Sequence, residues 1–287
     1  MVIKKHRSWG KLPIEIVNNI ITLYNSGNST KNVSELLKVP YSTIIDTLKK
    51  HNIILRKRIR KYTLNENYFD IINSEDKAYF LGLLYADGNV VKNKDGYRIS
   101  IGLQERDSYI LDKFAHYCNF NGPILFVKKA TERHQNQKLL QIYSKDLYSG
   151  ARTQGLHDNK TFTLKFPTID TQYIKHFIRG YFDGDGCVFI KKYKNQTSTS
   201  VQFLGTYDMC HSIKDILSKT LNLRSNTKIL SKKTIFKYTV NDRKDLLKIF
   251  KFLYENIGDC YFTRKLEKFK DVEAYIINYY KLYPNRY

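Results

Sequence analysis

Apolar side chains near the N-terminus recur at helical spacing in three short blocks. The blocks occupy residues 14–24, 33–37 and 42–48, and in each the apolar residues lie three or four positions apart. Ser26-Gly27 follows the first block and Val39-Pro40 follows the second, and residues of these types end helices. The pattern therefore predicts three short helices joined by tight turns.

From about Asn67 onward the chain repeats its pattern once. Three pairs of segments match in the same order: 80–88 with 178–186, 103–107 with 204–208, and 143–146 with 240–243. Each copy predicts a helix, a strand, a hairpin turn, a strand, a helix, two more strands and a helix. We therefore predict an α+β fold made of two pseudo-symmetric αββαββα half-domains with antiparallel sheets. Their predicted bounds are 67–170 and 171–287, after a small all-α domain and basic linker at 1–66.

The net charge indicates the class of partner. Lysine and arginine number 49 against 27 acidic residues, a formal charge of +22 that is spread along the chain. This excess favours a polyanion such as a nucleic acid. The sequence contains no run of about 18 apolar residues and no signal-peptide core, so we expect no membrane partner and a cytoplasmic setting in a bacterial, phage or organellar genetic compartment. The four widely spaced cysteines lack a zinc-binding pattern and are expected to be buried free thiols.

Two predicted helices end in an unexpected way, with Asp87-Gly88 and Asp185-Gly186. The C-terminal end of a helix carries partial negative charge, which disfavours a carboxylate there, although a following glycine commonly adopts the left-handed conformation. A bound cation would offset this cost. Small residues line one face of each helix, beginning at Gly82 and Gly180. If these faces pack together, both carboxylates meet in one site suited to a hard divalent ion.

The segments FLGLLYADG and IRGYFDGDG resemble the LAGLIDADG motif of homing endonucleases, in the two-motif, monomeric type. The resemblance extends over both copies and implies that the acid at the eighth position, Asp87 and Asp185, binds metal, Mg²⁺ or Mn²⁺. The sixth position, which is not the ligand, is Tyr85 in one copy and Asp183 in the other. The implied activity is hydrolysis of one phosphodiester per strand of double-stranded DNA, by a protein encoded in a mobile intron or a free-standing gene.

The same resemblance implies further catalytic groups. Lys160 and Lys265 occupy the places where each half of the family carries its active-site lysine, and Gln104 resembles a polar residue that orders water. The counterpart of Gln104 is Gly205, a difference that allows the halves to be chemically unequal. Relatives of this fold also include intron RNA maturases and transcription regulators, so a non-cleaving nucleic-acid binder is the alternative.

The resemblance further implies that the two sheets form a saddle on a long asymmetric DNA target. Side chains expected on the exposed sheet faces for base contacts are Asn93, Arg98, Ser100, Lys191, Tyr193 and Gln202. Lysines expected to contact phosphates, which position the protein without reading sequence, are Lys128, Lys129, Lys232 and Lys233.

Residues 34–51 resemble the helix-turn-helix of site-specific recombinases and many repressors, whose second helix enters the major groove. Positions expected near the exposed N-terminal side of that helix are Tyr41, Ser42, Thr43, Asp46 and Thr47. The basic run after it, with Arg56, Arg58 and Arg60, is expected to follow phosphates or enter a minor groove. The alternative for this segment is a three-helix scaffold that contacts other proteins.

Overall fold

The computed structural model describes residues 12–56, 60–94, 96–128, 135–194, 196–224 and 226–284. The chain divides into two compact units, residues 1–60 and 61–287. Each unit has its own apolar core. None of the helices in the described ranges combines the length and the apolar character needed to cross a membrane.

In its described residues the first unit has three helices, α1 (Ile14–Asn25), α2 (Thr30–Leu37) and α3 (Tyr41–Lys50). Their bounds agree with the three blocks of apolar residues in the sequence. Ser29 caps α2 by accepting a hydrogen bond from the backbone of Asn32, which satisfies one of the free N–H groups at a helix start.

A tyrosine and an arginine hold the end of the first unit against α1. The hydroxyl of Tyr24 accepts a hydrogen bond from the backbone N–H of Arg56 at 2.6 Å. The Arg56 guanidinium donates to the carbonyl oxygens of Tyr24 and Asn28 and lies 4.3 Å from the centre of the Tyr24 ring. Arg56 therefore has a structural role that its place in a basic run did not indicate.

The second unit contains the predicted repeat. Its first half has these elements in chain order: α4 (Glu75–Asp87), β1 (Gly88–Asn93), β2 (Gly96–Gln104), α5 (Tyr109–Tyr117), β3 (Ile124–Val127), β4 (Gln137–Tyr143) and α6 (Lys145–Thr153). The second half repeats the order with α7 (Thr171–Asp185), β5 (Cys187–Tyr193), β6 (Gln196–Gly205), α8 (Tyr207–Leu221), β7 (Leu230–Lys232), β8 (Ile235–Val240) and α9 (Arg243–Tyr254). The prediction of an α+β fold with two αββαββα halves is confirmed. A further helix, α10 (Thr263–Leu282), follows the second half and was not predicted.

Each half folds its four strands into one antiparallel sheet, in the spatial orders β1-β2-β4-β3 and β5-β6-β8-β7. Because side chains alternate along a strand, the register assigns every residue to a face. One face of each sheet is buried and includes Val90, Ile99 and Ile101 in the first half and Val201 and Phe203 in the second. We call the opposite face of each sheet its open face.

The cysteines agree only in part with the expectation that all are buried. Cys118, Cys210 and Cys260 are buried, but Cys187 is half-exposed. It begins β5 and lies opposite Gln202, which places it on the open face of the second sheet.

Candidate active site

Helices α4 and α7 pack against each other along their glycines, as the stripe of small residues predicted. A Cβ atom at Gly82 would overlap the carbonyl oxygen of Phe177, and one at Gly180 would overlap the carbonyl oxygen of Tyr79. Near the helix ends, a Cβ at Gly184 would lie 2.9 Å from Asp87 Oδ2. The carboxylate of Asp87 at the end of one helix is therefore in contact with the last turn of the other.

The glycines that follow the two aspartates do not have the left-handed conformation expected of them. Gly88 has φ −77° and Gly186 has φ −84°, which any residue can adopt. Glycine is required there for space, because a Cβ would meet the preceding helical turn at Leu84 or Phe182. The chain turns directly from helix into strand at these glycines, so each acid lies at a junction between a helix and a sheet.

The two carboxylates share one electrostatic environment. Partial desolvation raises the pKa of Asp87, although its side chain remains accessible to solvent, and the nearby charges of Lys160 and Lys265 act in the opposite direction. Desolvation, followed by the charge of Asp87, raises the pKa of Asp185 to about 6. Two like charges therefore lie close together in a partly desolvated site. A bound divalent cation would stabilise this arrangement.

The ammonium group of each lysine that was predicted to be catalytic lies at the C-terminal end of α4 or α7, the helices that carry the paired aspartates. Lys160 Nζ donates to the carbonyl oxygens of Tyr85 and Ala86 at 2.7 and 3.0 Å. Lys265, only 6% exposed, donates to the carbonyl oxygens of Phe182 and Gly186. Desolvation lowers the pKa of both ammonium groups, and the charges of Asp185 and Asp87 oppose that shift at Lys160. The structure therefore brings together both acids and both lysines.

Asp183 and Tyr85, the residues at the sixth position of each motif, hold the chain segments that carry these lysines. The sequence did not reveal this role. In the second half, buried Asp183 accepts hydrogen bonds from the hydroxyls of Tyr79 and Tyr254 and from the backbone of Phe262, the residue at the start of α10. In the first half, the hydroxyl of Tyr85 donates to the carbonyl of Gln154 at 2.7 Å. An aspartate and a tyrosine thus serve the same structural purpose in two different ways.

Each lysine segment is also held by the opposite half. Asp208, at the start of α8, accepts a hydrogen bond from the backbone of Phe166 at 2.9 Å, and Thr206 donates to the carbonyl of Leu164 at 2.6 Å. These residues hold the chain after Lys160. On the other side, the hydroxyl of Tyr109 in α5 donates to the carbonyl of Tyr261 at 2.8 Å, ahead of Lys265. The site is thus built jointly by the two halves.

Gln104 lies apart from the paired acids. It ends β2 opposite Gln137, three positions beyond the partner of Gly88. No described contact joins Gln104 to Asp87 or Asp185. It lies on the open face opposite the amide side chain of Gln137, and its catalytic role stays a prediction.

The open faces carry the polar side chains expected there, together with some that the sequence analysis missed. Asn93, Arg98, Lys191 and Gln202 all fall on an open face by register. Further polar residues on these faces are Asn89, Gln137, Gln141, Lys237 and Thr239. In β8, Lys237 and Thr239 alternate with apolar or aromatic residues, a signal that would have identified these two. Lys128 and Lys233 are exposed at strand ends.

The expected exposure is wrong at two positions. Ser100 is on the open face but only 6% exposed, because it is a short side chain between Asn89 and Gln141 on the neighbouring strands. Thr47 is only 8% exposed, because it lies three positions after buried Ile44 and shares the face of α3 that packs into the core of the first unit.

Of the other residues predicted to contact nucleic acid, some are described by the structure and some lie outside the described residues. Tyr41, Ser42, Thr43 and Asp46 are exposed or half-exposed on α3, and Arg60 is exposed. Arg58 and Lys129 lie outside the described residues, as do the side chains of Tyr193 and Lys232.

The donor set fits a hard divalent cation with few protein ligands. Asp87 and Asp185 offer carboxylate oxygens, and the neighbouring main-chain carbonyls accept from lysines. In the described ranges, no group of three or more histidine, cysteine or acidic side chains could hold a metal. Waters and substrate phosphates would complete the coordination, as is usual for Mg²⁺.

The fold is similar to solved structures of DNA-bound nucleases. One is the meganuclease I-SmaMI bound to uncleaveable DNA, at 14% identity and a TM-score of 0.48 over 70% of this chain and 90% of that one. Another is the LAGLIDADG homing endonuclease I-LtrWI bound to target DNA, at 16% identity and a TM-score of 0.47 over 74% of this chain and 90% of that one.

Two curated relatives are uncharacterized proteins of Methanocaldococcus jannaschii. MJ0314 is 24% identical over 58% of this chain and 63% of its own length, so the match spans less than two thirds of that relative. MJ0398 is 25% identical over 77% of this chain and 75% of its own length.

The family comparison falls on the second half of the repeat. Residues 172–254 match the model of the LAGLIDADG-like domain. The matched range begins in α7 and extends to the end of α9, so it contains Asp185 and the whole second sheet. The similarity to this family therefore covers the half of the repeat that carries Asp185.

Proposed function

We propose that this protein is a site-specific endonuclease that cuts both strands of double-stranded DNA with the help of a divalent metal. The observation that carries the proposal is the meeting of Asp87 and Asp185 at the ends of two packed helices, with Lys160 and Lys265 beside them. Paired carboxylates and flanking cations are the groups that phosphodiester hydrolysis requires. Encoding in a mobile intron or as a free-standing gene belongs to the same proposal.

Asp87 and Asp185 would hold the ion, Mg²⁺ or Mn²⁺. When bound, such an ion activates water and stabilises negative charge on a phosphate. Lys160 and Lys265 supply positive charge close to the phosphate, and their main-chain hydrogen bonds hold their Nζ atoms in place. Because desolvation lowers their pKa values, either lysine can give up a proton more readily than an exposed one.

Recognition of a long, asymmetric target would come from the open faces. Arg98, Gln137, Gln141 and Gln202 can read base edges in the major groove, where arginine pairs with guanine and amides pair with adenine. The two sheets carry different side chains at equivalent places, so the two half-sites should differ. Because both acids belong to one chain, we expect a monomer to bind each duplex.

The first unit would extend the recognised site. Its helix α3 exposes Tyr41, Ser42 and Asp46 on one side, as a helix that enters the major groove does. The charge over residues 1–61, with 13 basic and 3 acidic residues, would add phosphate contacts and affinity.

The test begins with selection of bound duplexes from a randomised library, with Ca²⁺ as the metal to limit cleavage. Selected duplexes are then cloned into a plasmid and incubated with the full-length protein and Mg²⁺ or EDTA. Linear plasmid with Mg²⁺ and intact plasmid with EDTA would support the proposal. Tight binding without cleavage in Mg²⁺ or Mn²⁺ would instead indicate a regulator or an RNA maturase of the same fold.

A further inference from the structure

A salt bridge between the two halves lies immediately beside the proposed cleavage site. Arg264 Nε, in the second half, donates to Asp107 Oδ2, in the first half, at 2.7 Å. Asp107 is nearly fully buried, whereas the Arg264 side chain is 36% exposed. The buried carboxylate therefore fixes an arginine whose outer part still reaches solvent.

The residues on either side of Arg264 are both anchored. The backbone N–H of Thr263 donates to the hydroxyl of Tyr109 at 2.7 Å, and Lys265 is bonded to the last turn of α7. Arg264 is thus held next to the helix end that carries Asp185. Its charge, after those of Lys160 and Lys265, acts to lower the pKa of Asp87.

The outer end of Arg264 is available to a ligand. Among the described residues, the Arg264 side chain makes one hydrogen bond, from Nε to Asp107, and its guanidinium carbon lies 5.0 Å from the centre of the Phe262 ring. The two terminal nitrogens keep four N–H donors. A planar fork of donors on a fixed stem is suited to a phosphate.

Among the described residues of the first half, no arginine takes the corresponding place beside Lys160. Asn159 precedes Lys160, as Arg264 precedes Lys265. Asp208, the repeat partner of Asp107, accepts from the backbone of Phe166 instead of from a side chain. The repeated aspartate therefore accepts from a guanidinium in one half and from a main-chain N–H in the other.

We propose that Arg264, held by Asp107, is a third phosphate-binding cation that serves one of the two scissile phosphates. It follows that the two DNA strands are cut at unequal rates and that a nicked intermediate accumulates. This inference rests on the proposed endonuclease function and adds a difference in cleavage rate between the two halves of the protein. Arg264 contacts the substrate in this scheme, and Asp107 is a positioning residue.

The experiment measures single-turnover cleavage of a selected duplex whose two strands carry different end labels. The variants are Arg264→Gln, which removes the charge, and Arg264→Lys, which keeps it. The matched control is Arg106→Gln, because Arg106 Nε lies 3.9 Å from the same Asp107 oxygen but its side chain is 64% exposed. Melting temperatures establish that each variant is folded.

Arg264→Gln should slow the cut of one strand by at least about tenfold and leave the other within about twofold. Removal of a preorganised donor to developing charge typically costs ~10² to 10³ in rate, and partial exposure of Arg264 reduces that effect. Arg264→Lys should restore most of the missing rate, and Arg106→Gln should keep the wild-type ratio of the two strand rates.

Equal slowing of both strands, or no slowing, would overturn the inference while wild-type cleavage still supported the endonuclease. Absence of wild-type cleavage would overturn both. If Arg264→Gln does not fold, Asp107→Asn replaces it, since asparagine keeps an oxygen acceptor for Nε but removes the ion pair. That variant must then slow one strand alone for the inference to stand.

Discussion

Substitution of Gly180 by alanine tests the helix contact on which the site depends. The added methyl group would overlap the carbonyl oxygen of Tyr79 and lie 3.0 Å from the backbone nitrogen of Leu83. These atoms belong to the backbone of α4, so no side-chain rotation can relieve the overlap. The helices must instead move apart, which also separates Asp87 from the last turn of α7.

The expected loss in the free energy of unfolding follows from two opposing effects. Overpacking of a tight contact costs up to about 3 kcal/mol, and alanine in place of glycine within a helix returns about 1 kcal/mol. The net loss should be about 2 kcal/mol, which in a unit of this size corresponds to a melting temperature lower by about 4–8 °C.

Urea unfolding followed by circular dichroism measures this loss, and DNA cleavage by the folded variant measures its effect on the site. Gly258→Ala is the matched control, because a Cβ at Gly258 would have no atom within 4 Å. We expect Gly180→Ala to lose stability and cleavage, and Gly258→Ala to lose neither. Wild-type stability of Gly180→Ala would refute the close packing of α4 and α7.

Three further predictions concern the acids, the lysines and the first unit. The folded-state pKa of Asp185 is raised to about 6, so its ionisation destabilises the metal-free protein as pH rises from about 4 to about 6. The increase in melting temperature caused by Mg²⁺ should therefore grow over the same pH range. An Mg²⁺ effect that does not change with pH would contradict this. Lys160→Met or Lys265→Met should reduce single-turnover cleavage by at least about tenfold with little loss of DNA binding, and gel-shift assays separate the two effects. Deletion of residues 1–60 should shorten the DNase footprint on one side. It should also reduce the slope of log affinity against log salt by about one unit for every phosphate that this unit neutralises in the full-length protein. An unchanged footprint and slope would show that the unit binds another partner.

The sequence predicted those features of the fold that depend on periodicity and repetition. The order of helices and strands could be predicted because each sheet has one buried face, and the two copies confirmed each other. The meeting of Asp87 and Asp185 could be predicted because Gly82 and Gly180 mark the faces through which two helices approach closely.

Features that depend on three-dimensional neighbours could not be predicted. Asp183 is a buried acceptor because two tyrosines and a backbone N–H, all distant in sequence, surround it. Ser100 is buried by the strands on either side, which alternation alone does not show. Arg264 resembles any other residue of a basic segment until the fold brings Asp107 to its Nε.

The most direct test of the account is a comparison of wild-type protein with Asp87→Asn and Asp185→Asn on one selected duplex. Binding is measured in Ca²⁺ and double-strand cleavage in Mg²⁺, with Asp146→Asn, an exposed acid on α6, as the control for loss of a carboxylate. We expect both site variants to bind the duplex with near wild-type affinity and to cut neither strand at a measurable fraction of the wild-type rate. Cleavage of both strands by either variant at near wild-type rate would contradict the assignment of the paired aspartates as the catalytic centre.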